Sequence, residues 1–346
     1  MSDHRSKRVQ ERSTESEPLL NKITQYVAVI GVGSPPTNYS LLVDTGSANA
    51  FIGSSKPYVK TSTSLDLNST FSIKYSVSNA TGKIYKDSVT IASLVIPDQI
   101  FGVANATIDE LSGLDGILGV GPSDLTYGTS PYAKTIPSVM ENLFTQMLIP
   151  SNVFALSFHP STAEEELNGE ITLGGYDSSK FTGDISYVPL SKTSPSSLYW
   201  GIDASSDYGA GKTSIFTTTA GIVDSGTTLI ELGTNAYNAY QLATGAVRDN
   251  TTGLLAITTT QFASLQSLYF NIGGKTYEVT ANAQIFPRQF IPLIGGNVNT
   301  IYLIVGDLKS PPSSGLDFIL GQTFLERYYS VYDASNGRIG KIVLEY

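Results

Sequence analysis

Short apolar runs recur along the chain, each closed by glycine, proline or small polar residues. Runs of four to eight such residues between turn-formers predict β-strands. Residues 26–33 predict the first, with a turn at Ser34-Pro35-Pro36, and residues 39–43 the next. Residues 71–75 and 82–91 predict a hairpin around a polar tip at 76–81. Further strands are predicted over 113–121, 169–175, 185–190, 303–306, 318–321 and 329–333, and a hairpin turn at Gly273-Gly274. Helical spacing appears at 137–147, where Val139, Leu143 and Met147 share a face, and at 234–245, with Thr234 as N-cap. Residues 1–22 are polar, with charges of both signs. They predict a disordered arm, and they read neither as a signal peptide nor as a membrane span.

Two of the apolar runs end in the same way. Leu41-Leu42-Val43 stops at Asp44-Thr45-Gly46-Ser47, and Gly221-Ile222-Val223 stops at Asp224-Ser225-Gly226-Thr227. A carboxyl at the end of a buried strand is costly unless neighbouring groups satisfy it. Thr45 and Ser225 bring hydroxyl donors, and Gly46 and Gly226 let the backbone turn and approach closely. A second phrase also repeats: Gly113-Leu114-Asp115-Gly116-Ile117-Leu118-Gly119 returns as Gly315-Leu316-Asp317-Phe318-Ile319-Leu320-Gly321. Each copy follows its own aspartate triplet. The chain therefore reads as two diverged halves of one plan, and a pseudo-twofold pairing would set Asp44 opposite Asp224.

With these motifs, and with the ending Phe324-Leu325-Glu326-Arg327-Tyr328-Tyr329-Ser330-Val331-Tyr332-Asp333, the sequence resembles the pepsin-like aspartic proteases, in particular their cysteine-free fungal branch. The likeness runs from about residue 23 to 346. It implies an all-β, bilobal acid-protease fold of two pseudo-twofold-related β-barrel lobes with a few short helices. The expected division is a tail at 1–22, an N-terminal lobe with the flap at 23–190 and a C-terminal lobe at 191–346.

Composition agrees with that reading. Glycine (32) and tyrosine (20) are abundant, as in proteins of short strands and many turns. Only 15% of residues are charged, yet the net charge is −9. This argues against nucleic-acid and anionic-membrane partners and suits solubility in mild acid. The absence of cysteine excludes disulfides, thiol nucleophiles and cysteine-zinc sites. Asn38, Asn68, Asn79, Asn105 and Asn250 open Asn-x-Ser/Thr sequons, compatible with a secreted glycoprotein. Secretion is the expected localisation, although the chain carries no signal peptide.

The chemistry the resemblance implies is peptide-bond hydrolysis by water between two carboxyls that share a proton, Asp44 and Asp224. Thr45 and Ser225 would lock the two loops together, and Ser47 and Thr227 would bond the outer oxygens. Gly46 and Gly226 would leave room for an extended substrate, with Tyr75, Ser76 and Val77 on the flap and Thr228, Leu42 and Ile117 around the cleft. The apolar members imply cleavage beside large hydrophobic residues. Two departures stand out: Ser76-Val77-Ser78 replaces the family's glycines after the flap tyrosine, and Phe51 replaces a tryptophan that hydrogen-bonds it. Gln322 stands where the most acid-adapted relatives often carry aspartate, so the expected optimum is acidic but less extreme than pepsin's. Polypeptide substrates and pepstatin-like inhibitors are the expected partners of a monomer. No cofactor or metal is expected. His4 and His159 are the only histidines, which leaves no serine triad and no zinc motif. The competing readings are a catalytically silent pepsin-fold protein that binds or inhibits other proteins, and a β-sandwich adhesin with chance triplets.

Overall fold

The computed structural model describes residues 13–75, 79–106, 108, 111 and 113–343. Among these the fold is mostly β and bilobal, with strands in sheets of thirteen, seven and three and only short helices.

The two halves repeat one connection pattern. In the first, Thr37–Asp44 pairs in parallel with Gly116–Gly119. Gly116–Gly119 pairs antiparallel with Ala50–Ile52, which pairs in parallel with Leu94–Ala104. In the second half Thr213–Val223, Phe318–Leu320, Ile230–Leu232 and Val305–Asp307 follow the same sequence of parallel, antiparallel and parallel pairings. The repeated sequence phrase is thus the strand beside each aspartate strand. Strand residues alternate between faces. Val43 and Leu118, like Val223 and Leu320, are buried in the core, while Leu42, Ile117, Ile222 and Ile319 stand on the other face.

The flap arms, Leu65–Lys74 and Asn79–Ile91, form one antiparallel hairpin with Lys74 opposite Asn79. Ser76 and Val77 lie outside the described residues. The predicted helix at 137–147 is shorter, Val139–Thr145, because the Ser138 side chain caps it by accepting from the Glu141 N–H. The helix predicted at 234–245 runs Thr234–Thr244 and stops at Gly245 in the left-handed region. Its N-cap is Gly233 rather than Thr234. The Thr234 hydroxyl donates instead to Asp307 at 2.9 Å.

The disordered arm expected over 1–22 is corrected at its C-terminal end. Glu15–Asn21 is a strand that pairs with Glu166–Leu173 on one side and with Tyr26–Val32 on the other. Along its whole length the backbone pairs with a strand distant in sequence, and Leu19 and Asn21 are fully buried. The lobes also interweave at the expected 190/191 boundary. Tyr328–Asp333 pairs with Val153–Ser157, and Arg338–Val343 pairs with Ser186–Pro189, so the end of the chain completes the sheet of the first half. Trp200 packs across this junction against Phe154 and Tyr332 and donates to the Val120 carbonyl at 3.3 Å.

Candidate active site

Asp44 and Asp224 come from equivalent strand ends and face each other between the lobes. Both are buried, at 5% and 8% exposure. Each loop folds back on its own carboxylate in the same way. The Gly46 N–H donates to one oxygen of Asp44 at 2.8 Å and the Ser47 hydroxyl to the other. The Gly226 N–H donates to Asp224 at 2.8 Å and the Thr227 hydroxyl to its second oxygen at 2.7 Å. A β-carbon on Gly46 would lie 2.5 Å from an Asp224 oxygen, so only glycine lets the opposite carboxyl come this close.

Behind the carboxyls the loops grip one another. The Thr45 N–H donates to the Ser225 hydroxyl at 3.0 Å, and the Ser225 N–H donates to the Thr45 hydroxyl at 2.9 Å. Each hydroxyl then donates onward across the twofold. Thr45 bonds the Val223 carbonyl at 3.0 Å and Ser225 bonds the Val43 carbonyl at 2.7 Å. These four bonds are buried, where leaving any one unmade would cost about 1–3 kcal/mol. They fix the separation of the two carboxyls from a rigid base.

Burial pushes the Asp44 carboxyl well above its ordinary range, and the neighbouring Asp224 charge adds to this; bonds from Ser47 and Gly46 oppose it. Two carboxyls in contact cannot comfortably both ionise.

The pair lies on the floor of a cleft of about 470 Å³. Leu42, Ile117, Gly46, Gly226, Thr228 and Tyr75 all line it. Thr228 also ties the cleft to the N-terminal stretch by donating to the Thr24 carbonyl at 2.9 Å. The Tyr75 hydroxyl is buried beside Ser47, and among the described residues it makes no well-formed hydrogen bond. The Tyr75 ring lies 6.3 Å from that of Phe51.

Further lining residues escaped the sequence reading, among them Gln25, Leu125, Tyr199, Ile222 and Ile319. Two of these were within reach. Ile222 holds the place before Asp224 that Leu42 holds before Asp44, and Ile319 is the repeat-phrase counterpart of Ile117. Among the described residues no group of three or more His, Asp or Glu side chains could hold a metal ion. The facing triplets remove the adhesin reading, which needed the halves apart.

A family profile for eukaryotic aspartyl proteases matches residues 25–342. The chain is 55% identical to polyporopepsin of Irpex lacteus over 94% of its length and 96% of that protein. It is 30% identical to pepsin A of Suncus murinus over 95% of its length and 84% of that protein. A crystal structure of the aspartic proteinase from Irpex lacteus superposes with a TM-score of 0.93 at 53% identity, covering 96% of this chain and 98% of the other. A family profile that takes in nearly the whole sequence, and a fold shared so closely, place the chain in the pepsin-like family of aspartic-type endopeptidases.

Proposed function

We propose that the chain cleaves internal bonds of polypeptides in acid, with Asp44 and Asp224 as a proton-sharing catalytic pair. The observation that carries this reading is the contact of two buried carboxyls on the floor of an open cleft. The ionised member takes a proton from a water molecule, which attacks the scissile carbonyl. The protonated member donates to the carbonyl oxygen as negative charge develops there. Thr45 and Ser225 keep the carboxyls at fixed separation, and Ser47 and Thr227 hold their outer oxygens. Gly46 and Gly226 leave the floor flat enough for an extended peptide backbone.

Leu42, Ile117 and the Tyr75 ring give the cleft an apolar wall, which supports cleavage beside large hydrophobic residues. The cleft is built within one chain, which supports action as a monomer, the lobes 23–190 and 191–346 each lending one carboxyl. Secretion is supported by the acidic charge and by the exposure of all five sequon asparagines. Among the described residues no helix is long and apolar enough to cross a membrane.

The test is digestion of denatured haemoglobin across pH with and without pepstatin. Cleavage is expected to peak in acid, at about pH 3–5, and to fall as the shared proton is lost. Asp44→Asn or Asp224→Asn should lower kcat at least a thousandfold in a folded protein, since each removes half of the acid–base pair. A peak at neutral pH, or full activity in either variant, would overturn the reading.

A further inference from the structure

The twofold repeat of the cleft walls is broken at one position. In the first lobe, strand register sets Leu42 beside Ile117, Ile117 beside Phe51, and Phe51 beside Gly102. In the second lobe the same steps set Ile222 beside Ile319, Ile319 beside Glu231, and Glu231 beside Gly306. Directly paired residues on neighbouring strands project from the same face. Leu42, Ile117, Ile222 and Ile319 line the cleft, and Phe51 and Glu231 continue these two faces one strand further from its floor, with Glu231 still near enough to feel the Asp224 charge. Phe51 and Glu231 are each seven positions past their aspartates. The first row is apolar throughout; the second carries a carboxyl where the first carries a fully buried ring.

Nothing in the fold requires that carboxyl. Ile230 and Leu232 on either side of Glu231 supply the core contacts of the strand, and both are fully buried. Glu231 keeps part of its surface exposed. Among the described residues no donor bonds its side chain. The charged groups that face it are Asp224 from the aspartate loop, Asp307 from the paired strand, and Lys309 just beyond. Two of those three are acidic. A largely desolvated carboxyl among like charges, without a donor, is unfavourable alone and favourable once a cation reaches it.

We propose that Glu231 is a specificity-determining residue of the second-lobe wall, which receives the Lys or Arg side chain of a bound peptide flanking the cleaved bond. The inference rests on the peptidase reading above and names part of its substrate class. The apolar row takes a hydrophobic side chain at one place, and Glu231 selects a basic one at another. Burial, with Asp224 and Asp307 adding to it, raises the acidity range of the Glu231 carboxyl. The preference for a basic side chain therefore grows as pH rises through that range and the carboxyl ionises.

The experiment takes a hydrophobic peptide that the enzyme cleaves and scans Lys against norleucine through each position around the scissile bond. In the wild type, one position should favour Lys by about tenfold in kcat/KM, the scale of one charged hydrogen bond. That ratio should increase from pH 3 to pH 6. In Glu231→Gln it should fall to near unity at every pH. Cleavage of the parent peptide with no Lys preference, or with a preference that Glu231→Gln retains, would sink the inference and leave the peptidase reading standing. The pH arm needs no variant, so a failure of the variant to fold does not protect the idea. No cleavage of any parent peptide would remove both.

Discussion

Tyr75 shows how one substitution redistributes hydrogen bonds in the cleft. Phe51 is fully buried next to it and has no donor to offer. The Tyr75 hydroxyl is left buried beside Ser47 with no well-formed bond among the described residues, and burial pushes its pKa up, with Asp44 adding to the shift. A desolvated hydroxyl without a partner does not help the free protein. Tyr75→Phe should therefore leave the unfolding free energy unchanged or raise it by up to about 1 kcal/mol. Thermal unfolding measures this, and a drop of several degrees would mean that the hydroxyl is satisfied. At this scale the sequence spoke clearly where a residue has a repeat partner. Asp44 and Asp224 announced each other, as did Thr45 and Ser225. Glu231 was silent because its counterpart, Phe51, differs in kind, and only strand register reveals that the two correspond.

At the scale of elements, the N-terminal stretch is tied down by a buried polar cluster. The Asn21 amide donates to the Tyr26 hydroxyl at 2.7 Å, and the Tyr26 hydroxyl reaches Glu326 at 3.3 Å. The Gln322 amide donates to the Ile23 carbonyl at 2.8 Å and to Glu326 at 3.1 Å. The Gln322 N–H also bonds the Thr227 carbonyl at 2.7 Å, so the cluster adjoins the second aspartate loop. Burial raises the pKa of Glu326 above 4.5, against the bonds from Gln322. A carboxyl that holds its proton more tightly when folded stabilises below its unfolded pKa. That contribution is lost as pH rises through the folded value. Glu326→Gln keeps the acceptor oxygen and cannot ionise. Its melting temperature should match the wild type near pH 3 and exceed it near pH 7, by an amount that scales with the shift. Equal curves across the range would show that Glu326 does not titrate on unfolding. The strand Glu15–Asn21 was illegible for the same physical reason that the cluster exists. Four of its seven residues are polar, its main partner strand is remote in sequence, and a buried Asn or Glu looks like a solvated one until its neighbours are known. The strands that end in the aspartates were legible because they are apolar, flanked by turn residues and repeated.

Across the whole molecule the two lobes share one sheet, and a lysine is buried in it. Lys341 lies on the last strand, opposite Ser186 on one side and Ser330 on the other. It is 2% exposed, and its ammonium finds no hydrogen bond among the described residues. It stands 4.6 Å over the Phe324 ring, whose quadrupole only partly replaces lost hydration. Burial lowers its pKa from 10.5 to about 7. The sign is opposite to that of Glu326. Below about pH 7 the lysine is charged in both states, and the folded state carries the full desolvation cost. Between about 7 and 10.5 only the unfolded chain is protonated, so stability from this group rises with pH. At the acid pH proposed for catalysis, Lys341 therefore works against the fold while Glu326 and Asp44 work for it. Lys341→Met fills the same space without the charge. It should stabilise by a few kcal/mol, on the order of the buried-lysine penalty, at pH 5. The gain should shrink toward zero as pH approaches 10. Removing the lysine also leaves the acids unopposed, so the variant should lose stability steadily above pH 5, whereas the wild type should level off above pH 7. Denaturant unfolding at pH 5, 7 and 9 resolves both curves. A variant less stable than the wild type at pH 5 would mean that the ammonium has found a partner and holds the shared sheet together.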